Sequence, residues 1–215
     1  MPLQQILPTW LALNGCNDTS ASGFQDLRTL QPVNAGGLNL GDYFDVTNAE
    51  AKSLQYSTNG VLFAGRYRRV QVDSGATAAN VKTGTIGLMP SLAAIAIDGY
   101  PANTPSANVV TSYDQSLALT SQVRPVIFLN TVTPGNFCFV QELGVATVLY
   151  KPTLTNATPL PGDVIVSAAT GVADDPTQST TLTYALQKLI IGAAIDIPFN
   201  GKLGRILLNL PVMQE

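Results

Sequence analysis

From residue 60 onward, glycine and proline interrupt the chain so often that only short elements fit between them. The intervals are filled by apolar and β-branched residues, at 60–64, 66–72, 85–89, 93–97, 109–111, 126–129, 137–142, 146–150 and 163–167. Between them stand turn signals such as Ser74-Gly75-Ala76, Asp98-Gly99, Pro134-Gly135-Asn136, Gly144 and Pro161-Gly162. Short β-favouring runs recurring about every ten residues with such punctuation predict an all-β barrel or sandwich of short antiparallel strands. Near the end, 188–197 and 203–210 read as two strands around the hairpin signal Asn200-Gly201. Ile206, Leu208 and Leu210 share one face of the second strand, and Arg205 and Asn209 the other. Leu182, Ala185, Leu186, Leu189 and Ile190 also fit a helical stripe, which leaves a short helix over 180–187 as an alternative.

The first 45 residues lack that rhythm. They carry Pro2, Pro8, Pro32 and the Gly36-Gly37 pair, with many Asn and Gln. Phe24, Leu27 and Leu30 fit one face of a short helix, and the rest reads as an extended arm. Ile6, Leu7, Trp10, Leu11 and Leu13 have no local apolar partner, so the arm wraps its own domain or reaches a neighbouring subunit. Thr47-Asn48-Ala49-Glu50 fits a capping box for a helix over 48–54. The division is therefore an arm, 1–45, and a β-rich domain, 46–215, of one barrel or of two meeting near 108/109. A chain of 215 residues buries a sizeable core without staples.

Composition narrows the chemistry. Only 12% of residues are charged, about half the usual share. A weakly charged surface keeps a protein monomeric poorly, which favours an assembly-bound state. Net charge is −3, and the eleven Lys and Arg residues are too few for a phosphate-binding surface, so no nucleic-acid partner is expected. Histidine is absent, which removes the commonest general base and metal ligand and excludes any His-containing nucleophile triad. Cys16 and Cys138 make no zinc spacing, and Cys138 lies in an apolar run that predicts a buried thiol. No stretch is a secretory signal or an apolar run of membrane-spanning length, so neither secretion nor a membrane partner is expected.

No dinucleotide, Walker or nucleophile-elbow motif is present. Asp174-Asp175, before Pro176, reads as a turn or cap rather than a metal or catalytic pair. Neither catalysis nor a cofactor or metal is expected. The one basic cluster is Arg66-Tyr67-Arg68-Arg69. It is a solvated strand face with surface ion pairs, or a patch for an acidic protein partner, since Arg and Tyr are favoured interface anchors. The candidate interface residues are Ile6, Leu7, Trp10 and Leu11 in the arm, with Arg66, Tyr67, Arg68 and Arg69.

Several phrases in 60–215 resemble those of capsid decoration (head cement) proteins of tailed bacteriophages. They are Gly65-Arg66-Tyr67-Arg68-Arg69-Val70-Gln71-Val72-Asp73, the strand, turn and aromatic strand from Val126 through Thr133-Pro134-Gly135-Asn136 to Gln141, Gly144-Val145-Ala146-Thr147-Val148, Pro161-Gly162-Asp163-Val164-Ile165-Val166, Ile191-Gly192-Ala193-Ala194, and Gly204-Arg205-Ile206-Leu207-Leu208-Asn209-Leu210. The resemblance implies a compact β-barrel-like domain, often a homotrimer, on the outer capsid where major capsid proteins meet. It implies no cofactor and no catalysis, a major capsid protein as partner, and a virion location after synthesis in the host cytoplasm. The alternatives are another virion component (tail tube, connector or capsid subunit) or a carbohydrate-binding β-sandwich. Tail-tube subunits would assemble into tubes alone. A sugar site would want aromatic platforms, and the sole Trp is Trp10 in the arm.

Overall fold

The computed structural model describes residues 41, 43–47, 63–90, 108–120, 123–176, 187 and 189–208. Among the described residues ten strands form one sheet: β1 (Tyr43–Val46), β2 (Gly65–Val72), β3 (Ile86–Pro90), β4 (Val109–Ser112), β5 (Val123–Phe128), β6 (Phe137–Leu149), β7 (Val164–Ser167), β8 (Ala173–Asp174), β9 (Ile190–Ala194) and β10 (Leu203–Leu208). Their order is β1-β2-β4-β3-β5-β6-β10-β9-β7-β8, and an extra β2–β6 pairing closes β2, β4, β3, β5 and β6 into a five-stranded barrel. The all-β expectation holds. Strands from both sides of 108/109 enter this one barrel, so the middle of the chain is not a barrel boundary.

One pair departs from the antiparallel expectation: β2 and β4 run parallel. The reason is arithmetic. Neighbours in a closed ring can all alternate in direction only if their number is even, so an odd barrel must hold one parallel pair. The other four barrel contacts are antiparallel.

Alternation along each strand builds two cores. Val70 and Val72 of β2, Met89 of β3, Val110 of β4, Val126 and Phe128 of β5, and Cys138 and Val140 of β6 cluster as the barrel filling. Cys138 is buried there, as its apolar run predicts. The opposite side chains of β3 and β5, Ile86, Leu88 and Ile127, enter a second core with Ala146, Val148, Ile165, Ile191, Ile206 and Leu208. That core packs the barrel's outer wall against the β6-β10-β9-β7 layer.

β6 belongs to both. The expected break at Gly144 is absent, and 137–149 is one strand. Gly144 instead takes φ +96° within it, beside the Gly65 partner on β2, and permits a close approach that no other residue would. The structure also holds a six-residue helix, α1 (Gln115–Thr120), that strand patterning does not predict. Asp114 starts it, its carboxylate accepting from Ser116 N at 2.8 Å. Leu189 is helical and β9 begins at Ile190; most of 180–187, and the proposed helices at 24–30 and 48–54, lie outside the described residues.

Candidate protein interface

The arginine strand is largely engaged within the fold. Arg68 points to the same side of β2 as Val70 and Val72, into the end of the barrel. There it meets Glu142 of β6, which lies on the same side as Cys138 and Val140. Arg68 Nε donates to Glu142 Oε1, Arg124 Nη2 of β5 donates to the same oxygen at 2.6 Å, and Arg68 Nη1 donates to Gly41 O at 2.6 Å. The Glu142 side chain is 2% exposed. This triad closes one barrel mouth and ties β2, β5 and β6 to the residue that leads into β1.

Tyr67 and Arg69 face the other way and are buried, so neither is presented at the surface. Tyr67 Oη donates to Phe63 O at 2.6 Å, and burial pushes its ionisation far up. The Arg69 guanidinium lies 5.4 Å from the Phe137 ring centroid. Only Arg66 fits the solvated reading. It forms a two-pronged ion pair with Asp45 of β1, at 2.8 and 3.0 Å, and holds that carboxyl below its usual range. Such an exposed pair contributes about 0–1 kcal/mol. The cluster as a joint contact patch is therefore corrected: it is one surface pair, one member of the mouth triad and two interior side chains. Ile6, Leu7, Trp10 and Leu11 lie outside the described residues.

The acidic pair Asp174-Asp175 anchors the 151–163 loop. Asp174 accepts from Lys151 Nζ (2.6 Å), Thr155 N (3.0 Å) and Thr155 Oγ1 (2.6 Å). Asp175, fully buried, accepts from Asn156 Nδ2 at 3.2 Å, and the same amide donates to Asp163 Oδ2 at 3.3 Å. Asn156 Oδ1 accepts from Thr158 N, which fixes the amide with its NH2 toward both carboxyls. Burial first, then the charge of Asp163, pushes the Asp175 carboxyl up to about 6 from 3.8. Among the described residues no group of three or more His, Cys, Asp or Glu is placed to hold a metal.

A carboxyl raised on folding binds its proton more tightly in the native state. Its contribution is complete below the unfolded value and is lost as pH rises through about 6. The thermal midpoint is therefore expected to be higher near about pH 5 than near about pH 7.5. Asp175→Asn should flatten that slope, and a slope unchanged in the variant would assign it elsewhere.

The surface that is not made for water lies on β10. In an antiparallel layer with one face on a core, the other face is ordinarily polar. Here Ile206 and Leu208 point inward, while the outward residues are Leu203 (52% exposed), Arg205 and Leu207 (52% exposed). Register extends this face sideways. Leu203 pairs with Leu149 and Leu207 with Val145 on β6, Leu207 also with Ala193 on β9, and Ala193 with exposed Val164 on β7. Ile195, Ile197 and Phe199 (61% exposed) are exposed as well, in the loop after β9. Its central charge is already neutralised: Arg205 donates to Asp196 at 2.7 and 2.5 Å. These outward leucines and valines, with the Arg205–Asp196 pair and Thr147 among them, are the candidate contact face among the described residues. Sequence reasoning placed Ile206 and Leu208 correctly but did not single out Leu203 and Leu207. The available signal was a strand apolar on both faces.

No family model matches the chain, and no curated protein matches it. Among solved structures, the head fiber gp8.5 N base of bacteriophage phi29 is similar in arrangement over 66% of this chain and 92% of that one, at 10% identity and a TM-score of 0.39.

Proposed function

We propose that this chain is a non-enzymatic structural protein of a tailed-phage virion, a decoration protein that packs against the outer capsid and stabilises contacts between major capsid proteins. The observation that carries the reading is the apolar outer face of β6, β10, β9 and β7. Exposed apolar side chains gathered on one sheet face support a contact with another chain. The low charge supports this, since little must be desolvated on docking. The resemblance of the phrases in 60–215 to phage head decoration proteins supports a partner on a phage head. The ionisable groups support a role without catalysis: Glu142 is locked between two arginines, and the Asp163–Asp175 pair is closed off from solvent. A protein that binds only the assembled head stabilises it by mass action.

The test is co-expression with the major capsid protein of the same genome, followed by gradient sedimentation of heads. The native chain is expected to travel with heads and to raise their melting temperature. The double substitution Leu203→Asp, Leu207→Asp is expected to weaken association by at least about 30-fold, the effect of losing one interface anchor. Both side chains are exposed, so the circular dichroism spectrum should be retained. Full association of the double variant with heads would overturn the reading.

A further inference from the structure

The segment 151–163, which joins β6 to β7, buries only Asn156 and Asp163. Leu154 packs against the second core, and the other anchors are hydrogen bonds. Both flanks are fastened by groups of their own. Leu154 N donates to Asn200 Oδ1 at 2.8 Å, Thr155 N to Asp174 Oδ1 at 3.0 Å, and Gly162 N to Ala194 O at 2.7 Å. Between these flanks, 156–161 contains Pro159 and Pro161, which have no N–H to give. Three of its four remaining amides donate into one network. Asn156 N reaches Asp175 O at 2.9 Å, Thr158 N reaches Asn156 Oδ1 at 3.0 Å, and Leu160 N reaches Asp163 Oδ2 at 2.7 Å. A turn with so little apolar burial is held by that network or opens without the sheet.

The network centres on two buried carboxyls. Asp163 and Asp175 lie within hydrogen-bonding reach of each other and share the Asn156 amide. Of the charged groups around them, Asp174 beside Asp175 is paired with Lys151, and Asp196 of the β9–β10 connection is paired with Arg205. Tyr150, bridged to Ala173 from the end of β6, brings a hydroxyl whose ionisation is pushed up, first by burial and then by the charge of Asp175. Asp175 Oδ1 is buried and no donor reaches it, so an ionised Asp175 is uncompensated at that atom. Two carboxyls sharing one buried site cannot both ionise without cost, and one proton between them removes it. We propose that Asp163, Asn156 and Asp175 form a proton-held latch: one proton on the acid pair keeps the 156–161 turn fastened, and its loss to solvent releases the turn while the sheet stays folded. The sign follows from Asp175, whose carboxyl burial and then the charge of Asp163 push up to about 6. The latch is therefore closed below that value and opens as pH rises through it. It does not depend on what covers the outer face of β10.

The three latch amides are their own probes. The experiment follows their hydrogen exchange by nuclear magnetic resonance on the full chain, with the intrinsic pH dependence of exchange divided out. The N–H groups of Asn156, Thr158 and Leu160 are expected to open about tenfold more often at about pH 7.5 than at about pH 5. The amides of β6 and β10 should keep their protection at both. Asp175→Asn puts a permanent N–H donor where the proton sits, and Asp163→Asn does the same from the other side. Each variant is expected to hold the three amides at the slow rate at both pH values. Equal protection of the three amides at the two pH values in the native chain would overturn the latch. So would a loss of protection shared by β6 and β10, or a tenfold rise that persists in both variants. No capsid takes part, so failure here is separate from failure of head association in the gradient experiment.

Discussion

Replacing Glu142 with alanine is expected to cost the fold about 3–5 kcal/mol, the loss seen when one member of a buried ion pair is removed. The carboxylate is 2% exposed, and its partners Arg68 and Arg124 are 15% and 13% exposed. Without Glu142 two guanidiniums face each other at the barrel mouth with little water to screen them. Their hydrogens would have to find new acceptors among main-chain groups already paired in the sheet. The effect is asymmetric. Changing all three together, Arg68→Met, Arg124→Met and Glu142→Leu, removes both charge and need, and is expected to lie within about 2 kcal/mol of the native chain. Urea unfolding monitored by circular dichroism checks both, with a constant slope required for the comparison. An alanine variant that loses under about 1 kcal/mol would show that the triad does not hold the barrel mouth together.

What was legible in the sequence follows from which interactions are local. β2 and β10 were readable because alternation is a property of neighbouring residues. The turn at Asn200-Gly201 was readable because its backbone takes φ +63° at Gly201, and Lys202 N donates to Phe199 O at 3.2 Å, although it lies within a longer connection between β9 and β10. The continuity of β6 was not. Gly144 in isolation is a break signal, and only the approach of Gly65 from a strand some eighty residues earlier turns it into a crossing point. The parallel β2–β4 pair depends on the number of strands in the ring, which no local pattern encodes. The arginine cluster failed for the same reason. Four consecutive residues of a strand point alternately to two sides, and what waits on each side comes from β1, β5 and β6. The Asp163–Asn156–Asp175 network is assembled from a loop and two strand ends, so Asp175 looked like an ordinary turn residue. The outer face was half visible: Leu203, Leu207 and Ile206 lie close in sequence, yet that both sides of β10 are apolar matters only once one side is known to face a core.

Gly144 is where the second large effect is expected. A Cβ there would stand 2.2 Å from Ala64 O and 2.5 Å from Gly65 Cα. Neither is a side chain that can swing aside. Ala64 O also accepts the Val145 N–H at 3.2 Å, so backing away breaks the bond that continues the ladder past the bend. The residue facing Gly144 is equally constrained, since a Cβ on Gly65 would meet Leu143 O at 2.1 Å. Gly144→Ala therefore combines strain at φ +96° with main-chain overlap, and about 4 kcal/mol of lost stability is expected, a large share of the 5–15 kcal/mol of an ordinary domain. Gly135→Ala separates the two terms. Gly135 has φ +88° but nothing within 4 Å of a Cβ, so it should lose only the conformational part, about 1 kcal/mol. Chemical unfolding of the two variants side by side reads the difference. If they lose the same amount, the β2–β6 crossing tolerates a wider separation than the contact distances imply. If Gly144→Ala loses several times more, the close approach of two glycines is what carries β6 from the barrel wall into the layer that bears the outer face. The orientation of the proposed interface then depends on a glycine pair between β2 and β6.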